Sequence, residues 1–462
     1  MTFDRWNPPP GKRPLVAGAA RSGVAAARLL ARHGAHVTLC DRREAGALPE
    51  AARALTAEGV ALAAGTDDPA LLDGCDLLVW SPGIPVDHAL LVTARERGIP
   101  VMGELELGFL AAKAPLLCIT GTNGKSTTTD LTGALLRAAG REVEVCGNIG
   151  RAMCEVAEDV SASGLLVVEV SSFQLETVTK LKPFVAAWLN LTPDHLERHG
   201  DLENYAATKD RLFAMQDEGD YAVRNADDPL VAARRSGHGA PLEFSTVRPV
   251  TEGAFFEDGH LVTAWRGGRE RLMPRSEVRL NGPHNLSNVL AALTIVMPLE
   301  LPPDLLRAAL REYGGLEHRL EPSGELGEVR FVNDSKATNI SSLEVALQSF
   351  SDPVVLIAGG RDKGQDFAPM APLVREKVRH LVLIGEGAEG MGRAWAGVSA
   401  ERADSLREAV EKAYAAARPY GTVLLSPGCA SYDMFRDFED RGRRFKDEVA
   451  RLVSLAQGGA ST

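Results

Sequence analysis

A glycine-rich segment with the sequence TGTNGKST has the residue types of a loop that binds a nucleotide phosphate, and it directly follows the apolar run PLLCI. Gly121 and Gly124 allow the backbone to curl so that its N–H groups point into one concavity. Lys125 then starts a predicted helix, whose N–H groups favour an anion, and Ser126 offers a hydroxyl to Mg²⁺. The Walker A spacing G-x-x-x-x-G-K-[ST] requires a glycine where Ile119 stands. We therefore interpret the segment as a shorter P-loop variant rather than as a glycine-rich turn with a solvated lysine.

Three further side chains have the chemistry to act beside a bound nucleotide phosphate. Glu169 ends the apolar run LLVVE, and a carboxylate at that strand tip lies near the phosphate loop of a doubly wound sheet, where it can bind Mg²⁺. His195 follows Asp194, and a metal-ligand role competes evenly with an Asp N-cap followed by a surface histidine. Lys209 lies in a helical stretch, where periodicity alone predicts an exposed lysine.

A second glycine pattern, VAGAARSGVA, lies near the N-terminus and is typical of dinucleotide-binding folds. Gly18 and Gly23 match the fingerprint G-x-G-x-x-G, but Ala20 stands at the middle glycine, where the backbone approaches a pyrophosphate closely. Asp41 follows about 20 residues later, where an acid that binds ribose is expected. A domain that uses this fold only for packing, or one that binds a nucleotide other than NAD, is at least as compatible with the pattern as a dehydrogenase domain.

The last third of the chain contains loops that are denser in polar groups than packing requires. They are NDSKATN with Asp334, Lys336 and Thr338, AGGRDKGQDF with Lys363, and SPGCASYDMFRDF with Ser431 and Phe438. Each follows an apolar strand, and ligands of α/β domains bind at the carboxyl ends of strands. Any one of these loops could be a capped turn, but together they predict a second substrate site.

Short apolar runs alternate with alanine-rich amphipathic stretches in three series, and this alternation predicts α/β domains with parallel sheets. The series restart near residues 105 and 316. We therefore predict domains at 1–105, 106–315 and 316–462. Within the second domain, residues 240–280 have the pattern of short antiparallel strands that form a lobe.

The composition of the 462 residues is typical of a globular protein, with 45% hydrophobic residues, 24% charged residues and a net charge of −11. This charge argues against nucleic acid or an anionic membrane surface as the main partner. The six cysteines form no C-x-x-C pair, which indicates a reducing compartment. No signal peptide and no run of roughly 18 apolar residues is present, so we expect a cytoplasmic protein.

The motifs taken together closely resemble the Mur ligases of bacterial peptidoglycan synthesis, and among them the members that add D-glutamate. The resemblance covers essentially the whole chain through GTNGKST, GNIG, EVSSFQLE, PDHLERH, HNLSN, LEHRLE, NDSKATN and LLSPGCAS, in the order of that family. It implies a Rossmann-like N-terminal domain for the UDP moiety and a central P-loop ATPase domain with a parallel sheet. It also implies a C-terminal Rossmann-like α/β domain that closes over ATP and presents the amino acid.

The resemblance also implies roles for individual residues. ATP would be bound by Gly121, Thr122, Asn123, Gly124, Lys125, Ser126, Thr127, Asn285, Arg319 and Asp334. Mg²⁺ would be held by Ser126 and Glu169, with His195 at a second Mg²⁺ and with Lys209 as a carbamylated, carboxylate-like metal ligand. The UDP-substrate would contact Ser22, Asp41, Arg42, Gly83 and Asn148. D-Glutamate would contact Thr338, Lys363, Ser431 and Phe438, and the catalytic residues would be Lys125, Glu169, His195, Lys209 and Lys336. Contacts by Arg361 or Asp362 are left undecided.

The implied reaction uses ATP to activate the carboxylate of UDP-N-acetylmuramoyl-L-alanine as an acyl phosphate, which the amine of D-glutamate then attacks. We expect a monomer with ATP and these two substrates as its small-molecule partners. Folylpolyglutamate synthase shares the ligase chemistry, although the complete βαβ series before the P-loop argues against it. A P-loop switch or motor protein would leave the polar loops of the third series unexplained, and Ala20 counts against a dinucleotide oxidoreductase.

Overall fold

The computed structural model describes residues 11–280, 282–362 and 364–458 of the chain. The chain divides into two compact units, Met1–Tyr313 and Gly314–Thr462. The predicted α/β class is confirmed, because helices accompany sheets that are mainly parallel. The boundaries that we placed at 105 and 315 remain a prediction. In the described part of the chain, no helix combines the length and the apolar character that a bilayer span requires.

The first sheet is formed by β1 (Pro14–Ala17), β2 (Thr38–Asp41), β3 (Ala61–Ala64), β4 (Leu77–Trp80) and β5 (Val101–Gly103). Its helices are α1 (Arg21–Arg32), α2 (Glu50–Ala54), α3 (Ala89–Glu96) and α4 (Glu104–Ala111), with 3₁₀ turns at Ala45–Ala47, Leu55–Glu58 and Pro69–Leu72. All strand pairs are parallel, in the order β3-β2-β1-β4-β5. The order reverses between β1 and β4, so their carboxyl ends frame the crevice in which such folds bind ligands.

The second sheet contains β6 (Leu116–Thr120), β7 (Val143–Gly147), β8 (Leu165–Glu169), β9 (Val185–Trp188), β10 (Tyr221–Asn225), β11 (Ala240–Ser245), β12 (Gly253–Glu257), β13 (His260–Trp265) and β14 (Gly268–Pro274). The helices are α5 (Lys125–Ala138), α6 (Met153–Val156), α7 (Ser172–Leu175), α8 (Leu196–His199), α9 (Leu202–Asp210), α10 (Pro229–Ala232), α11 (Pro283–Val296) and α12 (Pro303–Glu312), with 3₁₀ turns at Arg275–Glu277 and Met297–Leu299. The strand order is β14-β13-β12-β11-β10-β9-β6-β8-β7, which places β6 inside the sheet.

Strand β6 is apolar throughout because both of its faces are covered. Leu117 and Ile119 belong to the hydrophobic core on one side of the sheet, whereas Leu116 and Cys118 belong to the core on the other side. Such double burial explains why a parallel strand is a continuous apolar run rather than an alternating one. The phosphate-loop candidate therefore starts from a rigid, fully buried strand.

The prediction of antiparallel strands at 240–280 is correct in part. Strands β12, β13 and β14 form an antiparallel meander, but β11 runs parallel to both of its neighbours. The four strands extend the central sheet instead of forming a separate lobe. Short strands joined by short connections have this pattern whether they form a separate lobe or continue a larger sheet, so the sequence alone did not distinguish the two arrangements.

The second unit has its own sheet of β15 (Glu321–Leu326), β16 (Glu328–Asn333), β17 (Val354–Gly359), β18 (Val378–Ile384), β19 (Ala400–Arg402) and β20 (Tyr420–Leu425). Its helices are α13 (Ile340–Gln348), α14 (Ala371–Lys377), α15 (Ala388–Ala394), α16 (Leu406–Ala417) and α17 (Phe438–Gly458), with a 3₁₀ turn at Ala368–Met370. The order is β15-β16-β20-β17-β18-β19, and every pair except β15 with β16 is parallel. The adjacent strands β16, β20 and β17 bring three of the polar loops to one edge.

Candidate active site

The glycine-rich loop connects β6 to α5, as the sequence predicts for a P-loop. Gly124 caps the helix with φ +80°, in the left-handed region that favours glycine. A Cβ atom at this residue would lie 2.3 Å from Oδ1 of Asn288 on α11, so space as well as backbone conformation requires glycine. Ser126 and Thr127 follow in the first turn and are buried. The N–H groups of this first turn are those that a helix offers to an anion.

An asparagine that the sequence analysis did not select holds the loop in shape. Oδ1 of Asn190, after β9, accepts hydrogen bonds from the backbone N–H groups of Thr122 and Asn123 at 3.1 and 2.8 Å. Its Nδ2 donates to the carbonyl of Asn123 at 3.1 Å. The amide therefore holds both edges of the loop backbone. On the other side, Asn288 accepts from Thr128 at 3.3 Å and donates to the predicted ATP ligand Asn285 at 3.0 Å.

Lys125 lies over the loop that precedes it. Its Nζ donates to the carbonyls of Gly121 and Thr122 at 2.9 and 2.8 Å. These contacts place the ammonium group beside the concave side of the loop, the position from which a P-loop lysine neutralises phosphate charge. A phosphate group would compete with neutral carbonyls for this lysine and offers the stronger, charge-assisted bond.

Glu169 reaches the same region from the end of β8. It pairs in register with Ile119 of β6 and with Gly147 of β7, and only 1% of its surface is exposed. Its Oε1 accepts from Nδ2 of Asn148 at 2.7 Å, whereas Oε2 is buried without a hydrogen-bond partner. Since a buried carboxylate oxygen without a partner is costly, this atom fits a cation ligand. Within residues 11–280, 282–362 and 364–458, no group of three or more His, Cys, Asp or Glu side chains forms a metal cluster by itself.

Lys209 is buried, with 1% of its surface exposed, so the exposed lysine that periodicity alone predicts is wrong. Its Nζ donates to the carbonyl of Gly121 at 2.9 Å and to Oγ1 of Thr120 at 3.4 Å, and it lies 4.6 Å from the centre of the Tyr205 ring. Burial, followed by the positive charge of Lys125, lowers the pKa of Lys209 well below its usual value. The amine is therefore close to the P-loop and readily loses its proton.

His195 is half-exposed, as a surface histidine would be, but the predicted Asp194 N-cap is wrong. It is His195, not Asp194, that occupies the N-cap position of α8, with φ 53° and no side-chain capping bond. Its Nε2 lies 3.6 Å from Asp194, and its ring lies 4.8 Å from that of Phe173. An imidazole with an open face and a left-handed backbone is compatible with a ligand role, and strained backbone of this kind is frequent at functional sites.

The five predicted contacts to the UDP-substrate all line one cleft of about 660 Å³, at the crevice between β1 and β4. These residues are Ser22, Asp41, Arg42, Gly83 and Asn148. The first four belong to the N-terminal sheet and its loops, whereas Asn148 follows β7 of the central sheet. The cleft size falls within the range of small-molecule sites in proteins.

Asp41 is not an open ribose ligand in this structure. Its carboxylate accepts both Nε and Nη2 of Arg43, at 2.9 and 2.8 Å, and the backbone N–H of Ala19 at 2.8 Å. The hydrogen bonds from Arg43 lower the pKa of Asp41 well below its usual range.

The glycine pattern before α1 is only partly that of an NAD-binding fold. Ala20 is the N-cap residue of α1, whereas a Cβ atom at Gly23 would lie 1.8 Å from the carbonyl oxygen of Gly18. The glycine required for helix-to-strand packing is present, and the middle glycine of the NAD fingerprint is not.

In the second unit, two side chains join the polar loops at the ends of β16, β20 and β17. Gln365 accepts from the backbone of Ile340 at 3.1 Å and donates to the carbonyl of Gly428 at 3.1 Å. The fully buried Arg441 donates to Ser335 and to the carbonyl of Cys429, at 2.9 to 3.1 Å. The loops that the sequence singled out therefore form one connected group.

Asp334 and Arg319, both predicted ATP contacts, lie in this group. Asp334 is 4% exposed and accepts from Oγ of Ser426 at 2.7 Å and from the backbone of Leu320 at 3.2 Å. Burial raises the pKa of Asp334 to about 7. The two neighbours of Arg319, His318 and Leu320, have φ values of 64° and 45°, so Arg319 is presented from a strained segment that Asp334 holds in place.

The remaining predicted residues of this unit occupy the same loops. The backbone N–H of Lys336 donates to the carbonyl of His318 at 3.0 Å, and Thr338 is half-buried two residues later. Ser431 is buried, with 2% of its surface exposed, and Phe438 begins α17 with its carbonyl bonded to Ser335 at 2.8 Å. The predicted contact at Lys363 lies outside the described residues.

Comparison with known proteins identifies relatives over nearly the whole chain. Residues 12–103 match the MurD-like N-terminal domain of Mur ligases, residues 119–296 the Mur ligase middle domain, and residues 318–429 the glutamate ligase domain of Mur ligases. The chain is 45% identical over 445 residues to the UDP-N-acetylmuramoylalanine–D-glutamate ligase of Geobacter metallireducens, covering 96% of this chain and 98% of that one. It is 43% identical over the same length to the ligase of that name from Pelotomaculum thermopropionicum, covering 96% and 98%.

Solved structures show the same fold at lower identity. UDP-N-acetylmuramate-alanine ligase from Thermotoga maritima aligns with a TM-score of 0.59 at 18% identity, over 96% of this chain and 99% of that one. A pseudomurein peptide ligase type C from Methanothermus fervidus aligns with a TM-score of 0.58 at 17% identity, over 96% and 100%. The resemblance drawn from the motifs is thus confirmed. Because the three domain matches follow one another along the chain and the relatives are similar over nearly its full length, the chain belongs to the Mur ligase family.

Proposed function

We propose that the protein joins D-glutamate to UDP-N-acetylmuramoyl-L-alanine in a reaction driven by ATP, as a step of peptidoglycan precursor synthesis. The observation that carries this function is the identity of 39 to 45% with ligases of that name over 95 to 98% of the chain. The P-loop supports the ATP requirement, because Lys125 and the first turn of α5 form a phosphate-binding arrangement.

ATP is assigned to the loop 121–127, with Asn285, Arg319 and Asp334 as further contacts. Within this set, the loop N–H groups of Thr122 and Asn123 already bond to Asn190, so phosphate would be left to the amides from Gly124 onward and to Lys125. Asp334 would act mainly by holding the segment that presents Arg319, since its carboxylate is buried against Ser426 and Leu320.

Mg²⁺ fits the residues present, because Oε2 of Glu169 is a buried acceptor without a partner. Ser126 and Glu169 would hold one Mg²⁺, and His195 and Lys209 would hold a second. The bound ions would supply positive charge against the phosphoryl group in transfer. Hard cations of this type prefer oxygen ligands, which Glu169 and Ser126 provide and an unmodified lysine does not.

Lys209 becomes an oxygen ligand if its amine adds carbon dioxide. In this step the neutral nitrogen forms a bond to the carbon of CO₂ and loses a proton, which gives a carbamate anion. Only the unprotonated amine reacts, and the lowered pKa of Lys209 favours that form. The carbamate would also place a buried negative charge beside Lys125.

The cleft of the N-terminal sheet is assigned to the UDP-substrate through Ser22, Asp41, Arg42, Gly83 and Asn148. Asp41 would fix the loop that follows β1 through Ala19 and hold Arg43 at the cleft wall. D-Glutamate is assigned to Thr338, Lys363, Ser431 and Phe438. Lys336 would act at the phosphate end of ATP.

The reaction balances in two steps. First, an oxygen of the L-alanyl carboxylate bonds to the γ-phosphorus of ATP, and the bond from that phosphorus to the β-γ bridging oxygen breaks, releasing ADP. Second, the nitrogen of D-glutamate bonds to the acyl carbon and loses a proton, and inorganic phosphate leaves with the former carboxylate oxygen. Lys125 would stabilise the charge of the transferring phosphoryl group, the electrostatic contribution that such transfers require.

We further propose a cytoplasmic monomer with no nucleic-acid or membrane partner, since the net charge is −11 and the substrates are small anions.

The decisive experiment measures phosphate release from ATP by the purified protein. Release should require both UDP-N-acetylmuramoyl-L-alanine and D-glutamate. Release with L-glutamate or meso-diaminopimelate but not with D-glutamate would reject the assignment. ¹⁸O from the L-alanyl carboxylate should appear in the released phosphate.

A further inference from the structure

One arginine at the start of α1 reaches from the N-terminal sheet to a loop of the central sheet. Nη1 of Arg21 donates to the carbonyl of Gly150 at 2.5 Å, and Nη2 donates to the carbonyls of Gly147 and Asn148 at 3.2 Å each. These carbonyls lie 126 to 129 residues away along the chain. A planar guanidinium with several fixed N–H donors suits three carbonyls that a short turn presents together.

The loop that Arg21 holds, residues 147–150, is bonded in turn to Glu169. The backbone N–H of Asn148 donates to the carbonyl of Glu169 at 2.9 Å, and its Nδ2 donates to Oε1 of the same residue at 2.7 Å. Only the amide NH₂ can face a carboxylate oxygen, so the orientation of Asn148 is fixed. With Oε1 occupied, Oε2 is the carboxylate atom that stays buried without a partner.

We propose that Arg21 is a positioning residue of the ligase reaction, which holds the loop 147–150 so that Asn148 orients Glu169 for the metal-bound phosphates. The proposal rests on the proposed function, because it assigns Glu169 to Mg²⁺. Arg21 and Asn148 both line the cleft assigned to the UDP-substrate. The loop 147–150 therefore contacts both that cleft and the carboxylate of Glu169.

The obvious alternative is that Arg21 binds the diphosphate of the UDP-substrate directly, since it lines the cleft and is positively charged. The two roles differ in what they require. A diphosphate contact needs mainly the charge, which lysine also carries, whereas the loop contacts need the planar fork of N–H donors, which lysine lacks. They also differ in the ligand affected: the direct contact changes binding of the sugar nucleotide, and the positioning role changes the dependence on Mg²⁺.

The first experiment needs no substrate. Hydrogen exchange followed by mass spectrometry is measured on the full-length protein and on Arg21→Ala, Arg21→Lys and Arg28→Ala. Arg28 lies on the same helix and pairs with Glu58 across 2.9 Å, so it is the matched control. We expect faster exchange of residues 147–150 in both Arg21 variants and no change there in Arg28→Ala. Unchanged exchange in Arg21→Ala overturns the proposal, whatever the enzyme's activity.

The second experiment measures ligase activity against Mg²⁺ concentration. We expect Arg21→Ala to raise the Mg²⁺ concentration for half-maximal activity about 10-fold, the usual cost of losing a group that orients a metal ligand. Arg21→Lys should resemble Arg21→Ala, and the pair Arg21→Ala with Asn148→Ala should be no worse than Asn148→Ala alone, because both act through one route. Wild-type behaviour of Arg21→Lys, or a raised KM for the sugar nucleotide alone, identifies a diphosphate contact and overturns the proposal.

The outcomes separate this proposal from the proposed function. If the wild-type protein does not release phosphate with D-glutamate, the function is wrong, but the exchange experiment still tests whether Arg21 orders the loop. If the wild-type protein is active and thermal unfolding shows that the variants are folded, an unaltered Mg²⁺ dependence rejects the positioning role alone.

Discussion

Asn190 lies with its Oδ1 2.8 Å from the backbone nitrogen of Asn123, so a side-chain amide, not a phosphate, satisfies the middle of the phosphate loop. The same oxygen accepts the N–H of Thr122, and Nδ2 bonds the carbonyl of Asn123. The loop is therefore held in its curled shape before any nucleotide binds. Such preorganisation reduces the cost of ordering the loop when ATP enters.

We predict that Asn190→Ala raises the KM for ATP by roughly tenfold, the equivalent of about 1.4 kcal/mol. The N–H of Asn123 loses its partner, and the N–H of Thr122 keeps only its bond to the backbone carbonyl of Asn190. Asn190→Asp keeps the acceptor but loses the donor to Asn123 and adds a negative charge beside the phosphates. The KM of Asn190→Asp for ATP should therefore rise at least as much as that of Asn190→Ala. Steady-state kinetics with ATP varied check this result, and an unchanged KM for ATP in Asn190→Ala would contradict it.

The contact between Gly124 and Asn288 leads to a second prediction. Gly124→Ala combines a left-handed φ with a Cβ 2.3 Å from Oδ1 of Asn288, whereas Gly140, at the other end of α5, has φ +72° and open space around it. Gly140→Ala should therefore cost only the backbone term, about 1–2 kcal/mol in the free energy of unfolding. Gly124→Ala should cost more and should also weaken ATP binding. Urea denaturation and nucleotide titration of both variants distinguish the two effects.

Lys209 provides a third prediction. Burial and the positive charge of Lys125 lower its pKa well below the usual value, which favours the neutral amine, the form that adds carbon dioxide. Loss of a group that only orients a metal ligand costs up to roughly 100-fold in activity. Lys209→Ala should lose more activity than that, and added short carboxylates should restore part of the lost activity. Lys209→Arg is the matched control, because a guanidinium fills similar space and stays charged. A carbamate carbon signal after ¹³C-bicarbonate labelling should appear in the wild type and disappear in both variants.

Glu104 provides a prediction about pH. This carboxyl group is 2% exposed and accepts the backbone N–H of Cys154 at 2.7 Å. Burial raises its pKa from 4.5 to about 7. Between these values the folded protein holds a proton that the unfolded chain has lost, so the contribution of Glu104 to stability falls as pH rises through this window and is constant above it.

Glu104→Gln removes this titration while keeping an oxygen that accepts from Cys154. The free energy of unfolding of the wild type minus that of the variant should therefore decrease from pH 5 to pH 7.5, by a few kcal/mol at most. Other titrating groups cancel in this difference. Denaturant unfolding at several pH values measures it, and a difference that is flat across the window would show that Glu104 is ionised in the folded protein.

The sequence by itself determined the features whose physics is local. A buried strand, two glycines, a lysine and a helix start define the P-loop within one segment, and alternating apolar runs define the α/β class. The metal role of Glu169 followed from its position at a strand tip beside the P-loop. The resemblance to Mur ligases supplied the role of Lys209, since a helical period alone predicts an exposed lysine there. The placement of β11 in a continuous sheet was missed, because a short strand has the same local pattern in a separate meander and in an extended sheet.

Only the tertiary structure decided which distant groups meet. Asn190 bonds a loop 67 residues away, and Arg21 bonds one 126 to 129 residues away, so no local spacing could reveal either contact. The burial of Lys209 and the lone Oε2 of Glu169 are likewise properties of packing, which sets the dielectric surroundings and hence the pKa and the ligand preference of each group. The types and order of the residues determine which chemical groups a chain has available. The distances between side chains and their burial determine which of those groups act together.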